Sequence, residues 1–128
     1  MWKMLGVLVA AGLLSTTVHA GKPVPATDIR TVEKALQVQS TPLIVDVRSV
    51  EEFKSGHIPQ AINIPLAELD KKLVELSPHR NSTIYLVCEV GRRSEAATQQ
   101  LLNAGFIGPV NVTGGTRAWR EAKLPLER

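Results

Sequence analysis

Short apolar runs alternate with amphipathic stretches along most of this 128-residue chain. Leu43-Ile44-Val45-Asp46-Val47 is apolar but for one aspartate, and Thr83 to Val87 carries the run Ile84-Tyr85-Leu86-Val87. Runs this short, without alternation, suit strands buried on both faces of a parallel sheet. Ala61-Ile62-Asn63-Ile64 alternates between Pro59 and Pro65 and predicts a further short strand. Val110-Asn111-Val112 predicts the last one.

Helical patterns fill the gaps. Asp28 can cap a helix running to about Val38, with Val32, Ala35 and Leu36 on one face. Ser49-Val50-Glu51-Glu52 is a capping box that opens a short helix ending near Gly56. Leu66, Leu69, Leu73 and Leu76 recur at helical spacing until Pro78. Ser94 to Leu102 predicts a helix that stops at Gly105, with Phe106 placed for a C-cap contact. Gly114-Gly115 turns the chain into a short helix carrying Trp119, which Pro125 ends.

Strands alternating with helices, and no hairpin signal, predict an α/β fold: a small open parallel sheet with helices on both faces. Ligands of such sheets bind outside the carboxyl ends of the strands. Gly21 to Ala26, with two prolines, is expected to be an extended lead-in.

The first twenty residues stand apart from this pattern. Lys3 gives a positive n-region, Leu5 to Leu14 an apolar h-region, and Val18-His19-Ala20 a small-x-small cleavage site. Residues 1–20 are therefore expected to be a signal peptide, and residues 21–128 the exported, periplasmic domain. The competing reading is an uncleaved anchor, but the h-region is short for a span of about 20 apolar residues. After cleavage no stable membrane association is expected.

The formal charge is +3, one unit of which is Lys3. Basic and acidic residues are interspersed, and Arg92-Arg93 and Lys71-Lys72 are the longest basic runs. With aromatics at 4%, neither a basic stripe nor a stacking platform argues for nucleic acid.

Export normally goes with disulfides, yet Cys88 is the one cysteine and has no partner within the chain. A buried, inert thiol is the bland alternative. Its setting argues otherwise. Cys88 ends a strand, and Glu89-Val90-Gly91-Arg92-Arg93-Ser94 leads into a helix. Successive backbone N–H groups there can form an anion-binding nest, in the field of the helix N-terminus. Those conditions favour a thiolate nucleophile. Gly91 permits a turn a side chain would obstruct. Ser94 can cap the helix or donate to the sulfur. Arg92 and Arg93 can fork an anionic ligand, or lie as ordinary surface charge. Glu89 is discordant: a carboxylate there opposes ionisation of the neighbouring thiol and repels an anionic donor.

Four stretches together resemble the single-domain rhodaneses, the thiosulfate sulfurtransferase family. They are Asp46-Val47-Arg48-Ser49 with Glu51-Glu52-Phe53; Gly56-His57-Ile58-Pro59 leading to Ala61-Ile62-Asn63-Ile64-Pro65; Cys88 to Ser94; and Gly114-Gly115 before Ala118-Trp119. The resemblance covers roughly residues 25 to 125. It implies that Cys88 takes the outer sulfur of a small anionic donor such as thiosulfate, becomes a persulfide, and passes the sulfur to cyanide or a thiol. It implies substrate contacts from Glu89, Val90, Gly91, Arg92, Arg93 and Ser94, with Arg93 matching the family's arginine before the serine. No cofactor or metal is expected.

Asp46 and Arg48 match a family pair, with a structural role for Asp46 expected because a buried charge in an apolar run is normally paired. His57 is expected to be satisfied by a buried hydrogen bond rather than to act as a base. His79 shows no metal-ligand spacing with His57. Trp119 is expected in the core, and no nucleotide loop follows a strand at the glycine pair. Two other functions compete. A phosphatase or arsenate reductase of the same fold would place its arginine six positions after the cysteine, where this chain has Ser94. A non-catalytic binding module need not keep the cysteine, glycine and arginine.

Overall fold

The computed structural model describes residues 23–38 and 41–128, so the expected signal peptide and its cleavage site lie outside the described residues. Five strands form one parallel sheet: β1 (Ala26–Thr27), β2 (Leu43–Asp46), β3 (Ile62–Asn63), β4 (Ile84–Val87) and β5 (Pro109–Val112), in the order β1-β5-β4-β2-β3. The helices are α1 (Ile29–Val38), α2 (Val50–Ser55), α3 (Leu73–Leu76), α4 (Arg92–Asn103) and α5 (Gly115–Glu121).

β4 is the central strand, paired with β2 through Val45 opposite Leu86 and with β5 through Tyr85 opposite Val110. Side chains alternate across it. Ile84, Leu86 and Cys88 face one core with Val45, Val47, Leu69, Ala97 and Leu101. Val87 faces the other, with Val32, Ile44, Ile58, Val112 and Trp119. The period-two rule thus sends the Cys88 side chain to the α4 face of the sheet.

The predicted caps form. Asp28 Oδ1 accepts the Thr31 N–H at 3.1 Å. Ser49 Oγ accepts the Glu52 N–H at 3.1 Å, while Glu52 Oε1 accepts the Ser49 N–H at 3.0 Å. Past α4 the chain turns through Gly105 at φ +95°, and buried Phe106 returns its N–H to Leu101 O at 3.0 Å.

Three elements differ from expectation. The lead-in supplies β1, which pairs Ala26 with Asn111 and Thr27 with Val112 at the sheet edge. Prolines are tolerated before an edge strand because one side needs no N–H donor. The leucine stretch is not one α-helix: Leu66–Lys72 is a 3-10 helix, followed by the single turn α3 and a 3-10 turn, Ser77–His79. Three residues per turn keep Leu66 over Leu69, so the same apolar face reaches the core with a tighter winding. Finally, α4 starts at Arg92 rather than Ser94, because Gly91 takes the left-handed φ of +111° at the N-cap. Ser94 is therefore inside the first turn and does not cap the helix.

Candidate active site

β4 delivers Cys88 to the carboxyl end of the sheet, and the loop to α4 wraps its sulfur. The side chain is 1% exposed. Sγ accepts the Gly91 N–H at 3.1 Å and the Ser94 N–H at 3.3 Å, and lies 3.3 Å from Ser94 Oγ. Burial pushes the thiol up. The Ser94 hydroxyl and the N–H groups of Ser94, Gly91 and Val90 outweigh it, and the pKa lies below the ordinary thiol value. A buried sulfur surrounded by fixed donors, rather than by hydrocarbon alone, is a site for a sulfur anion.

The loop is held from behind by the next strand-to-helix connection. The Thr116 N–H donates to Cys88 O at 2.9 Å, and the Arg117 N–H to Glu89 O at 3.0 Å. Asn111 Nδ2 donates to Gly91 O at 3.2 Å. With these carbonyls pulled backwards, the loop amides face the sulfur. The approach requires glycine at 115: a Cβ there would collide with the carbonyl oxygens of Cys88 and Glu89.

A shell of ion pairs surrounds the loop. Arg48 is 1% exposed and forks the fully buried Asp46, with Nη2 to Oδ2 at 2.9 Å and Nε to Oδ1 at 3.1 Å; Nη2 also donates to Gly56 O at 2.7 Å. Asp46 further accepts the Arg48 N–H at 2.9 Å, so the pair is a structural clamp. Arg93 binds Glu52 in bidentate fashion, at 2.8 and 2.9 Å. Hydrogen bonding from Arg93 holds the Glu52 carboxyl down to about 2, and the same bond pushes the Arg93 guanidinium up.

Glu89 does not stand alone beside the sulfur. Arg120 Nη1 reaches its Oε2 at 3.1 Å, Arg48 Nη1 its Oε1 at 3.5 Å and Arg117 Nε its Oε2 at 3.9 Å. Three guanidiniums meet the charge of Glu89, and the thiol's lowered pKa comes from the Ser94, Gly91 and Val90 donors acting against burial.

Cys88, Gly91 and Ser94 thus converge on the sulfur, and Val90 contributes its backbone. Glu89 and Arg93 sit in ion pairs at the loop's flanks. Arg92 is exposed, with no ion pair among the described residues. Arg117 and Arg120 were not singled out in the sequence. Their three-residue spacing after the glycine pair was the available signal, since a strand-to-helix loop beside β4 must border its carboxyl end. His57 Nδ1 lies 2.9 Å from Phe53 O, and its ring stacks on Phe53 at 3.7 Å between centroids. Trp119 is buried, donating Nε1–H to Pro125 O at 2.7 Å.

The family model described as "Rhodanese-like domain" matches residues 29–122. The chain belongs to the rhodanese family. Among curated relatives of this rhodanese, thiosulfate sulfurtransferase 16 of the Arabidopsis thaliana chloroplast is 37% identical over 93 residues, covering 65% of this chain and 78% of that one. For several others the chain spans only between 22% and 51% of their length. Among solved structures, a thiosulfate sulfurtransferase from Pseudomonas aeruginosa superposes with a TM-score of 0.73 at 33% identity, over 82% of this chain and 20% of that one. A human single-domain sulfurtransferase gives a TM-score of 0.68 at 28% identity, over 76% of this chain and 96% of that one. These neighbours share the α/β arrangement described above.

Proposed function

We propose that this rhodanese is a sulfurtransferase in which Cys88 carries a sulfane sulfur from thiosulfate or a persulfide donor to cyanide or a thiol. The observation that carries the reading is the sulfur itself: buried, met by Gly91 and Ser94, and acidified by them. An inert binding module has no need for a thiol tuned in this way.

With thiosulfate, the Cys88 thiolate attacks the outer sulfur. The sulfur–sulfur bond of the donor breaks, sulfite leaves with the electron pair, and Cys88 holds a persulfide. The same amides that hold the thiolate then face the persulfide. Arg92 and Arg93 are assigned to meeting the anionic donor, Arg92 as a free charge and Arg93 through the guanidinium N–H groups that its two bonds to Glu52 leave unused. The residue six positions after Cys88 is Ser94 rather than arginine, which disfavours a phosphatase or arsenate reductase. The leader pattern of residues 1–20 supports export to the periplasm.

The test is intact-mass spectrometry after incubation with thiosulfate. A gain of one sulfur atom, removed by cyanide and absent in Cys88→Ser, is the expected result. Failure of Cys88 to gain sulfur from either thiosulfate or a low-molecular-weight persulfide would overturn the reading.

A further inference from the structure

We propose that Arg117 and Arg120 form an anion subsite beside the Cys88 loop for the carboxylate of a small thiol acceptor, with Glu89 as the resident counter-ion that this carboxylate displaces. This rests on the sulfur-transfer reading and extends it to the acceptor.

The two arginines are fixed beside the loop by backbone, not only by charge. The Arg117 N–H is bonded to Glu89 O, and Arg120 follows three residues later on the same face of α5. Their side chains remain 58% and 46% exposed, against 25% for Glu89. Arg48, the third guanidinium near Glu89, is already committed to Asp46. One carboxylate therefore faces two half-exposed guanidiniums, and a positive charge is left over at the rim.

The group now held there identifies the group that fits. Arg120 approaches both Glu89 oxygens, at 3.1 and 3.4 Å, the forked arrangement that suits a carboxylate. Exchanging one carboxylate for another preserves the ion pair, and a partly exposed pair is worth little to break. Reach favours an acceptor over thiosulfate. Thiosulfate carries its sulfonate oxygens one bond from the transferring sulfur, within range of the loop's own donors. A mercapto acid sets its carboxylate several bonds from its thiolate, as the Glu89 side chain sets its own away from the loop.

In the step this assigns, the acceptor thiolate attacks the outer sulfur of the Cys88 persulfide. The sulfur–sulfur bond on Cys88 breaks and Cys88 leaves with the electron pair as a thiolate, held by the Gly91 and Ser94 donors. The acceptor departs as a persulfide, and no oxidant or reductant is consumed.

Two rate ratios test this in the full chain. Cys88, the single cysteine, is alkylated with 4-iodobutyrate and with 4-iodobutyramide at one pH; both consume the same thiolate, so the ratio is independent of the thiol's acidity, and the butyrate sets its carboxylate several bonds from the reacting carbon. Separately, persulfide-loaded protein is discharged by 3-mercaptopropionate and by 2-mercaptoethanol. In Arg117→Gln/Arg120→Gln both ratios should fall by about three- to tenfold, and in Glu89→Gln both should rise. Ratios unmoved in both variants would overturn the subsite while leaving persulfide formation intact. A shifted alkylation ratio without any persulfide would instead retain the subsite and remove the sulfur-transfer reading.

Discussion

Glu52 and Arg93, 41 residues apart, are joined by two parallel hydrogen bonds of 2.8 and 2.9 Å. The same carboxylate closes the capping box of α2. One side chain therefore ties the first turn of α2 to the first turn of α4, and so positions the arginine that borders the Cys88 loop. The Glu52 pKa is held at about 2, below its ordinary 4.5. Because the folded value is depressed, the pair's contribution is complete above about pH 4.5 and is lost as pH falls through about 2. Glu52 and Arg93 are 36% and 40% exposed, so solvent screening limits the effect to about 1 kcal/mol or less. Urea titrations between pH 5 and 2 should show Glu52→Gln losing less stability than the parent over that window. Parallel curves would detach the low pKa from folding.

Gly115 predicts a steric test of the loop's support. Its φ of +58° disfavours a side chain, and its Cβ would strike the carbonyls of Cys88 and Glu89. Gly115→Ala should destabilise the fold by about 1–3 kcal/mol. It should also slow Cys88 alkylation, because the displaced carbonyls carry the loop amides with them. Thermal denaturation and alkylation rates on the same sample measure both, and an alkylation rate equal to that of the parent would show that the loop holds its shape without this contact.

Most of this frame was legible in the chain because it depends on local pattern. The apolar runs at Leu43 and Ile84, the capping box at Ser49 and the glycine before Phe106 each act within a few residues. β1 was missed because two residues have no periodicity and are strand only by pairing with Asn111 and Val112. The start of α4 was misplaced because left-handed Gly91 assumed the capping position that serines usually fill. Glu89 was the instructive case. Read beside Cys88 it is a lone repulsive charge; its counter-charges, Arg48, Arg117 and Arg120, come from distant parts of the sequence. Charge compensation across a sheet has no sequence period to reveal it.

Arg48 and Asp46 predict a large stability effect. Both are essentially buried, and each satisfies the other. Removing Arg48 leaves a charged carboxylate in the core and deprives Gly56 O of its donor. Arg48→Met should cost about 3–5 kcal/mol, whereas Asp46→Asn/Arg48→Met should recover part of that loss. Equilibrium denaturation of Arg48→Met, Asp46→Asn and the double variant checks the pairing. A double variant as unstable as the sum of its singles would mean that the two side chains act independently.

Ser94 gives the most direct test of the thiol's environment. Its hydroxyl and its backbone N–H both reach Cys88 Sγ, at 3.3 Å each. Only the hydroxyl is removed in Ser94→Ala, and the Gly91 and Ser94 amides remain. Burial then acts against ionisation with one opponent fewer, so the thiol pKa should move up from its lowered value. One hydrogen bond to a charged acceptor is worth about 1.5–3 kcal/mol. The loss of a single donor should therefore slow alkylation by roughly tenfold or more at pH values below the thiol's midpoint, while the rate at high pH, where the thiol is fully ionised, changes little. The pH–rate profile of iodoacetamide with both proteins separates the two effects. A profile displaced downward at every pH, with an unchanged midpoint, would mean that Ser94 controls access to the sulfur and not its charge.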